Sequence, residues 1–378
     1  MEILVLGAGL VGAPMAIDLS KDYKVSIADI NQERLNRIKN ESINKIRADL
    51  SDKKTLIKTV DNYQYIINAV PGFMGYSTLK TLIECKKHVV DIAFFPEEPF
   101  TLNEPAEKNQ SIVITDCGVA PGMSNILSGY VYNKLDKTET VLIYVGGLPK
   151  VREWPYEYKA VFSPVDVIEE YTRPARYIEN GKLVTRPALS DTEYHNFAGI
   201  GTLESFNSDG IRSLAKTIKA DNIKEKTLRY PGHVKLMEIL RETGFFDKTP
   251  IKINNTSVSP LDFTAKILFP KWELKPGEED ITVMKIIVEG YKNKEKYRYT
   301  YDLFDQYDKA TSTHSMARTT GYTATMAMRM IINGLFNKTG ITVPEYIGQY
   351  PECVDFMLNG LAERNVIYKE NVEIIKNL

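Results

Sequence analysis

Six residues close to the start of the chain, Gly7-Ala8-Gly9-Leu10-Val11-Gly12, leave few folds open to it. They follow the apolar run ILVL at 3–6 directly and open a helix-compatible stretch that ends near Ser20. Glycines at this spacing, between a strand and a helix, have separate roles. Gly7 permits a tight turn, Gly9 lets the backbone come close to a pyrophosphate, and Gly12 lets the helix pack on the strand. Leu10 and Val11 complete the loop, and the exposed amides at the helix start attract an anion. A second apolar run, KVSIAD at 24–29, ends in Asp29, seventeen positions after Gly12. A carboxylate there accepts hydrogen bonds from both hydroxyls of an adenosine ribose. The loop and the acid together predict a nicotinamide dinucleotide site. Asp29 would repel a 2′-phosphate, and Ile30 and Asn31 bring no guanidinium to neutralise one, so NAD is expected rather than NADP. Arg34, one helical turn on, is the side chain that could reverse this preference.

Short apolar runs continue at 65–70 (YIINAV), 88–93 (HVVDIA) and 111–116 (SIVITD), separated by helix-length segments. Continuous Val, Ile and Leu over so few residues suits parallel strands covered on both faces. The expected fold class is α/β: an N-terminal Rossmann doubly wound parallel sheet over residues 1–135, followed by a second α+β domain. In that domain, residues 136–318, the strands lengthen and aromatic and β-branched residues dominate, which predicts a largely antiparallel sheet for substrate binding and dimerisation. Asn180-Gly181 between ARYIE and KLVTR marks a hairpin whose central residues need positive φ. A second hairpin is expected to turn at 292–295. Ser163-Pro164-Val165-Asp166 reads as an N-cap, a first-turn proline and an early acid, so a helix should run through Glu170, and another should start near Gly232. Small residues over 319–333 predict a closely packed helix, and 319–378 reads as a helical segment returning to the first domain.

A chain of 378 residues with 43% hydrophobic and 26% charged residues can form two cores and does not have the composition of a disordered protein. The formal net charge of -1 removes the usual reason to expect a nucleic-acid partner. Cys85, Cys117 and Cys353 are few, odd in number and widely spaced, which excludes a disulfide framework and a CxxC metal pattern; no metal is expected. Glu2 and the interrupting glycines make the apolar start a poor leader segment or membrane span, so a cytoplasmic protein is expected, and Asn337-Lys338-Thr339 is then a chance match to a glycosylation site.

Further site candidates lie at strand ends. Val70 and Pro71, in the breaker-rich loop 69–72, are expected to touch the nicotinamide side of the cofactor. Asp49 follows the third strand and reads either as an adenine neighbour or as a helix cap. Asp91 and Asp116 end strands on the same edge; both are candidate acids, and a turn or helix cap is the other reading of each. In the second domain Arg173 and Arg176 (YTRPARY), Arg229 and His233 (TLRYPGH), and Arg318 (SMARTTG) adjoin Tyr, Pro or Gly, the surroundings of an anion pocket for a substrate carboxylate.

The segments ADINQERL, ITDCGVAPGMSN, FSPVDVIEEYTRPARYIENG, TLRYPGH and SMARTTGYTA, in this order, resemble the saccharopine dehydrogenase-like family over nearly the whole chain, most of all its L-lysine 6-dehydrogenase branch. The resemblance implies NAD-dependent oxidative deamination of the lysine ε-amine to a semialdehyde that cyclises to 1-piperideine-6-carboxylate. It also implies a homodimer. Saccharopine-forming relatives tend to carry an acid just before the Pro-Gly of Gly118-Val119-Ala120-Pro121-Gly122, where this chain has Ala120, which disfavours saccharopine. Saccharopine- and carboxynorspermidine-type imine chemistry is the alternative, and a non-catalytic NAD-sensing module is a third reading.

For a lysine substrate the pocket must select the neutral amine. The free side chain has a pKa of about 10.4, and a shift of three units costs about 4 kcal/mol. Desolvation supplies much of this, with Asp91 or a water accepting the proton and His233 as the rival base. Arg229 is the expected clamp for the substrate α-carboxylate, Arg318 the second choice and Arg173 a further candidate, with Tyr230 closing the pocket.

Overall fold

The structure, a computed structural model, describes residues 1–161, 164–275 and 277–376. It divides into two compact units, Met1–Lys134 with Met316–Tyr368, and Leu135–Ser315 with Lys369–Leu378. In the first, β1 (Glu2–Leu6), β2 (Lys24–Asp29), β3 (Asn44–Arg47), β4 (Tyr65–Asn68), β5 (His88–Asp91) and β6 (Ile112–Ile114) alternate with α1 (Gly12–Leu19), α2 (Gln32–Arg37), α3 (Lys53–Val60), α4 (Gly72–Glu84) and α5 (Asn103–Lys108), and α6 (Met123–Tyr132) follows. These strands and Gly340–Thr342 make one seven-stranded sheet, all its pairs parallel. From one edge the order is β3-β2-β1-β4-β5-β6 and then Gly340–Thr342. It reverses direction between β1 and β4, so the loops after these two strands flank the switch point where α/β sheets take their ligands.

Packing explains the pattern of the sequence. Leu4, Leu6, Ile66, Val89 and Val113 point from the strands into one core with Leu56, Leu79, Leu82 and Ala106 from the helices. Each fully buried aliphatic side chain contributes about 1.5–3 kcal/mol. The last residues of β2, β4 and β5 are instead polar: Asp29, Asn68 and Asp91. The core therefore ends in a hydrophilic carboxyl edge.

The second unit holds β7 (Lys137–Pro149), α7 (Pro164–Thr172), β8 (Ala175–Glu179), β9 (Lys182–Arg186), β10 (Glu193–Phe197), β11 (Gly201–Asn207), α8 (Leu214–Thr217), β12 (Asn222–Arg229), α9 (His233–Glu242), β13 (Ile251–Ile253), β14 (Thr256–Val258), α10 (Pro260–Trp272), β15 (Asp280–Lys292) and β16 (Glu295–Gln306). Nine strands form its main sheet, with the path β10-β11-β12-β7-β15-β16, the strand Tyr368–Ile375 beyond β16, and the hairpin β8-β9 attached to β12. Among β7 to β16 the paired neighbours are antiparallel except β12 and β7, which run parallel. Asn180 and Gly181 have φ of 50° and 72°, as the β8-β9 hairpin requires; Asn293 and Lys294, with φ of 52° and 70°, turn β15 into β16. Helix α7 begins at Pro164, while the proposed cap Ser163 lies outside the described residues. Gly232, with φ of 96°, caps α9. Tyr158, Val167, Tyr171, Phe206, Met237 and Trp272 form the core between these helices and the sheet.

The rest of the chain is α11 (Ser315–Ile332), β17 (Gly340–Thr342), α12 (Pro344–Ile347), α13 (Pro351–Glu363) and β18 (Tyr368–Ile375). Residues 319–378 are thus not helical throughout: β17 joins the first sheet beside β6, and β18 joins the second beside β16. The small residues of α11 do serve close packing, since a Cβ on Gly321 would come within 2.9 Å of Met15 Cγ on α1. A buried ionic cluster lies nearby. Asp18 accepts from Arg329 (2.7 Å), Thr325 (2.7 Å) and Arg364 (2.8 Å); burial raises its carboxyl, and the two arginines and the threonine more than reverse this, leaving it below the usual carboxylate range.

Candidate functional site

The glycine loop is held by its neighbours wherever the chain crowds it and is open where a ligand would come. Gly7 has φ of 102°, and a Cβ there would lie 2.5 Å from the carbonyl oxygen of Ala69 in the loop after β4. A Cβ on Gly12 would lie 2.0 Å from the carbonyl oxygen of Gly7. By contrast, a Cβ on Gly9 meets nothing within 4 Å. The middle glycine is therefore not required by the protein's own packing, and a pyrophosphate fits the cradle that its side chain would fill. Leu10 is exposed, and Val11 precedes α1 as its N-cap.

Asp29 is nearly buried, and backbone amides orient it. Ala8 N–H donates to Oδ2 at 2.7 Å and Asn31 N–H to Oδ1 at 2.7 Å. One lone pair on each oxygen remains for a ribose hydroxyl. Asn31 itself caps α2, accepting from the amides of Glu33 (2.9 Å) and Arg34 (3.2 Å). Arg34 Nη1 stands 4.0 Å from Asp29 Oδ2 with its side chain half exposed. Val70 is buried and Pro71 is the exposed N-cap of α4; both follow Ala69, whose carbonyl abuts Gly7.

Two acids on this edge serve the fold. Asp49 Oδ1 accepts from the amide (3.0 Å) and hydroxyl (2.6 Å) of Ser51, and the N-cap of α3 is Asp52, three residues later. Asp49 thus closes a turn, and the helix cap expected of it is supplied by Asp52 instead. Asp91 is fully buried, its Oδ1 accepting from Ala93 N–H (2.6 Å) and its Oδ2 from the Asn68 amide (2.7 Å). The turn-cap reading describes this carboxylate better than that of an open proton acceptor. Asn68 was not singled out by sequence, although it stands at the same strand-end position as Asp29 and Asp91. Asp116 is buried with φ of 52°, and burial pushes the neighbouring Cys117 thiol far up.

Arg318, on α11 of the first unit, is buried and donates to the carbonyl of Arg364 at 2.9 Å. The other arginine and histidine candidates belong to the second unit. Arg229 is 2% exposed, donates to Glu170 at 2.6 Å and to the Tyr171 hydroxyl at 3.3 Å, and has the Tyr158 ring 4.6 Å away. Burial raises Glu170's carboxyl, and Arg229 opposes the rise. The expected carboxylate clamp is therefore already neutralised by a carboxylate of the protein itself. His233 is enclosed too. Its Nδ1 lies 2.9 Å from the Tyr156 carbonyl, which can only accept, so Nε2 accepts from the Tyr171 hydroxyl at 2.9 Å. Burial, then Arg229, lowers its pKa to about 3. His233 is a neutral structural imidazole rather than a base. Tyr230 is also fixed, its hydroxyl donating to the Pro149 carbonyl at 2.9 Å, and Arg173 pairs with Glu169 at 3.3 Å on α7. Sequence missed Glu170 and Tyr171, yet they carry a readable signal: they continue the helical run begun by Val167 and Ile168, which faces the core.

Among the described residues no helix is long and apolar enough to cross a membrane, and no group of three or more His, Cys, Asp or Glu is placed to hold a metal.

A glycine loop at the switch point of a parallel sheet, with an acid at the end of β2, defines a Rossmann-type pyridine-nucleotide-binding protein. Residues 3–114 match the model of the saccharopine dehydrogenase NADP binding domain, and residues 118–367 that of the saccharopine dehydrogenase C-terminal domain. The chain belongs to the saccharopine dehydrogenase family. Among curated relatives, "Saccharopine dehydrogenase [NADP(+), L-glutamate-forming]" of Schizosaccharomyces pombe is 28% identical over 266 residues, covering 66% of this chain and 59% of that protein. "Alpha-aminoadipic semialdehyde synthase" of Arabidopsis thaliana is 27% identical over 56% of this chain but only 21% of its own length. The chain thus spans less than two thirds of these relatives. The Saccharomyces cerevisiae protein with the first of these names matches at 23% identity over 97% of this chain and 98% of its own. The solved structure of apo saccharopine dehydrogenase (L-Glu forming) from Saccharomyces cerevisiae shares the fold, with a TM-score of 0.80 at 19% identity over 98% of this chain and 99% of that one.

Proposed function

We propose that the chain is an NAD-dependent dehydrogenase that oxidatively deaminates the ε-amine of L-lysine, and that it acts as a homodimer. The observation that carries the dehydrogenase reading is the open Gly9 cradle beside the backbone-oriented Asp29 carboxylate. The lysine reading is supported by Ala120, an apolar residue where an acid is expected for saccharopine. NAD is supported by the position of Asp29, whose charge disfavours a 2′-phosphate. A second reading, a saccharopine dehydrogenase using NADP, is favoured by the names of the relatives and by the exposed Arg34 at 4.0 Å from Asp29.

Nicotinamide supplies the hydride acceptor, and the protein's part is to hold it, exclude water and select the neutral amine. Gly9 and Asp29 would hold the pyrophosphate and the adenosine ribose of the cofactor, and Val70 and Pro71 would flank its nicotinamide. Since Asp91 and His233 are enclosed by hydrogen bonds, the proton acceptor in this reading is a water. Since Arg229 is committed to Glu170, Arg318 is the remaining candidate for the substrate carboxylate, although it too is buried and bonded, to the Arg364 carbonyl.

One panel tests these readings: reduced-nicotinamide absorbance with lysine, saccharopine or cadaverine, each with NAD and with NADP. Turnover of lysine with NAD is expected; turnover of saccharopine alone sinks the lysine reading. Nucleotide binding without turnover of any amine would leave a sensing module. Asp29→Ser with Ile30→Arg should shift preference toward NADP by deleting a repelling charge and adding a phosphate partner. A double variant that keeps the parent's preference removes Asp29 from the ribose site.

A further inference from the structure

The outer face of the second sheet contains a trough of about 280 Å³ lined by Thr140, Leu142 and Tyr144 of β7, Asn222, Lys224 and Lys226 of β12, and Glu193 of β10. Its floor follows from strand geometry. β7 and β12 run parallel in the register Thr140↔Asn222, Leu142↔Lys224 and Tyr144↔Lys226. Alternate side chains of adjacent strands share a face, so three rungs of paired side chains point into one depression. On the opposite face Val141 and Ile223 are buried in the unit's interior, and buried Ile143, between Leu142 and Tyr144, also contributes to the trough's lining.

The polar groups here are unevenly committed. Lys226 is satisfied, donating to the Asp191 carbonyl at 2.6 Å and pairing with Glu193 at 3.2 Å. Glu193, at the mouth, is thereby neutralised, and His195 lies 3.5 Å away. Lys224 is different. Its ammonium rests 4.8 Å from the centre of the Tyr177 ring, and its nearest carboxylate oxygen, on Glu179, is 3.5 Å away, too long for a strong bond. Glu179 also serves Arg186, at 3.2 Å. The hydroxyls of Thr140 and Tyr144 and the side-chain amide nitrogen of Asn222 have no hydrogen-bond partner among the described residues. Burial, with a push from Glu193, raises the Tyr144 phenol, so it stays protonated and able to donate. The trough therefore offers one loosely held cation and several unspent donors beside the apolar side chain of Leu142.

We propose that this trough binds a small organic carboxylate, its anionic group on Lys224, Asn222 and the Thr140 hydroxyl and its carbon chain against Leu142 toward Tyr144. The volume suits a molecule of a few carbons, being near the lower end of small-ligand pockets. The apolar floor favours a carboxylate with a hydrocarbon part over inorganic phosphate. The site is built wholly from the second unit and is independent of nucleotide binding.

Calorimetry on the full chain without nucleotide tests it, with glutarate as probe, glutaramide as its neutral counterpart and inorganic phosphate as the bare anion. Glutarate should bind, glutaramide should not, and phosphate should bind at least about tenfold more weakly. Lys224→Met, which keeps the stem and removes the charge, should weaken glutarate binding by about tenfold or more, with nucleotide affinity unchanged. Leu142→Trp, which fills the trough, should abolish it and covers the case of a poorly folded Lys224 variant. Equal binding of glutarate to the parent and both variants, absence of glutarate binding to the parent, or equal response to phosphate overturns the proposal. So does a change of sedimentation in Lys224→Met with glutarate affinity intact, which would make the face a contact with a second copy.

Discussion

The glycine loop of the first unit and the Arg229 cluster of the second present opposite relations between polar groups and space. At Gly9 an added Cβ would meet nothing within 4 Å beyond its chain neighbours, and the functional groups are backbone amides. Around Arg229 the guanidinium, Glu170, Tyr171 and His233 satisfy one another in a buried aromatic shell. A ligand can use the first arrangement as it stands. To use the second it must displace a carboxylate that is already paired. A charged residue in an unusual motif is thus weak evidence for a ligand until its partners are known, whereas a glycine the protein does not need is strong evidence.

The largest expected effect tests the closed cluster. Arg229→Met strands Glu170 without its partner, and removing one member of a buried pair costs about 3–5 kcal/mol of stability. Adding Glu170→Gln should recover a good part of that loss, because replacing both members leaves no uncompensated charge. Chemical denaturation of the two variants decides it. A well-folded Arg229→Met with parental stability and a raised lysine KM would restore Arg229 as the substrate clamp and erase the contrast.

The open loop comes next. Gly9→Val should fold with the parent's stability and lose nucleotide affinity by at least about a hundredfold, since removal of one well-placed set of charged hydrogen bonds is worth about 3 kcal/mol. Gly12→Val is its control: a Cβ there falls 2.0 Å from the Gly7 carbonyl oxygen, so that variant should lose stability as well as binding. If both behave alike, Gly9 is also a packing residue and the two regions differ less than their geometry says.

His233 sharpens the contrast through pH. Its folded pKa, about 3, lies below the ordinary value near 6.5 that it regains on unfolding. The unfolded chain therefore binds the extra proton first, and stability falls as pH drops from about 6.5 toward 3, by at most about 1.4 kcal/mol per pH unit. His233→Gln should flatten that part of the profile. If His233 were the catalytic base, the loss would appear instead in kcat/KM near pH 6.5 with stability unchanged.

How much the sequence disclosed divides along the same line. The parallel strands, the Gly7–Gly12 loop, Asp29 and the Asn180-Gly181 hairpin are legible because each is a local pattern with one physical solution. The pairing of β7 with β12 is not legible, because some seventy residues of loop, helix and hairpin separate the two strands and period-two patterns do not name a neighbour. Arg229 misled for a related reason. Its companions Tyr158, Glu170 and Tyr171 are some sixty to seventy residues earlier in the chain, so the sequence shows an arginine beside Tyr230 and Pro231 but not the carboxylate that occupies it. The end of the chain shows the same limit: YKENVEII at 368–375 has a strand's composition, yet its partner β16 lies sixty residues before it.

Asp49 provides the smallest effect and the finest discrimination, because it lies on the same carboxyl edge as Asp29 but is held by different partners. Asp29 takes both of its hydrogen bonds from backbone amides, of Ala8 and Asn31, which fixes the carboxylate beside the glycine loop. Asp49 takes both of its bonds from Ser51, its amide and its hydroxyl, which fixes only the turn entering α3. Asp49 is exposed, so water can replace much of what is lost, and Asp49→Ala should cost only about 0.5–1 kcal/mol of stability. Nucleotide affinity should stay within about twofold of the parent, since a ligand that makes no hydrogen bond to this carboxylate loses none. Paired titrations of Asp49→Ala and Asp29→Ala with NAD separate the two acids: the Asp29 variant should weaken binding by about tenfold or more, and the Asp49 variant should not. A loss of affinity in Asp49→Ala equal to that in Asp29→Ala, with stability intact, would put Asp49 beside the adenine.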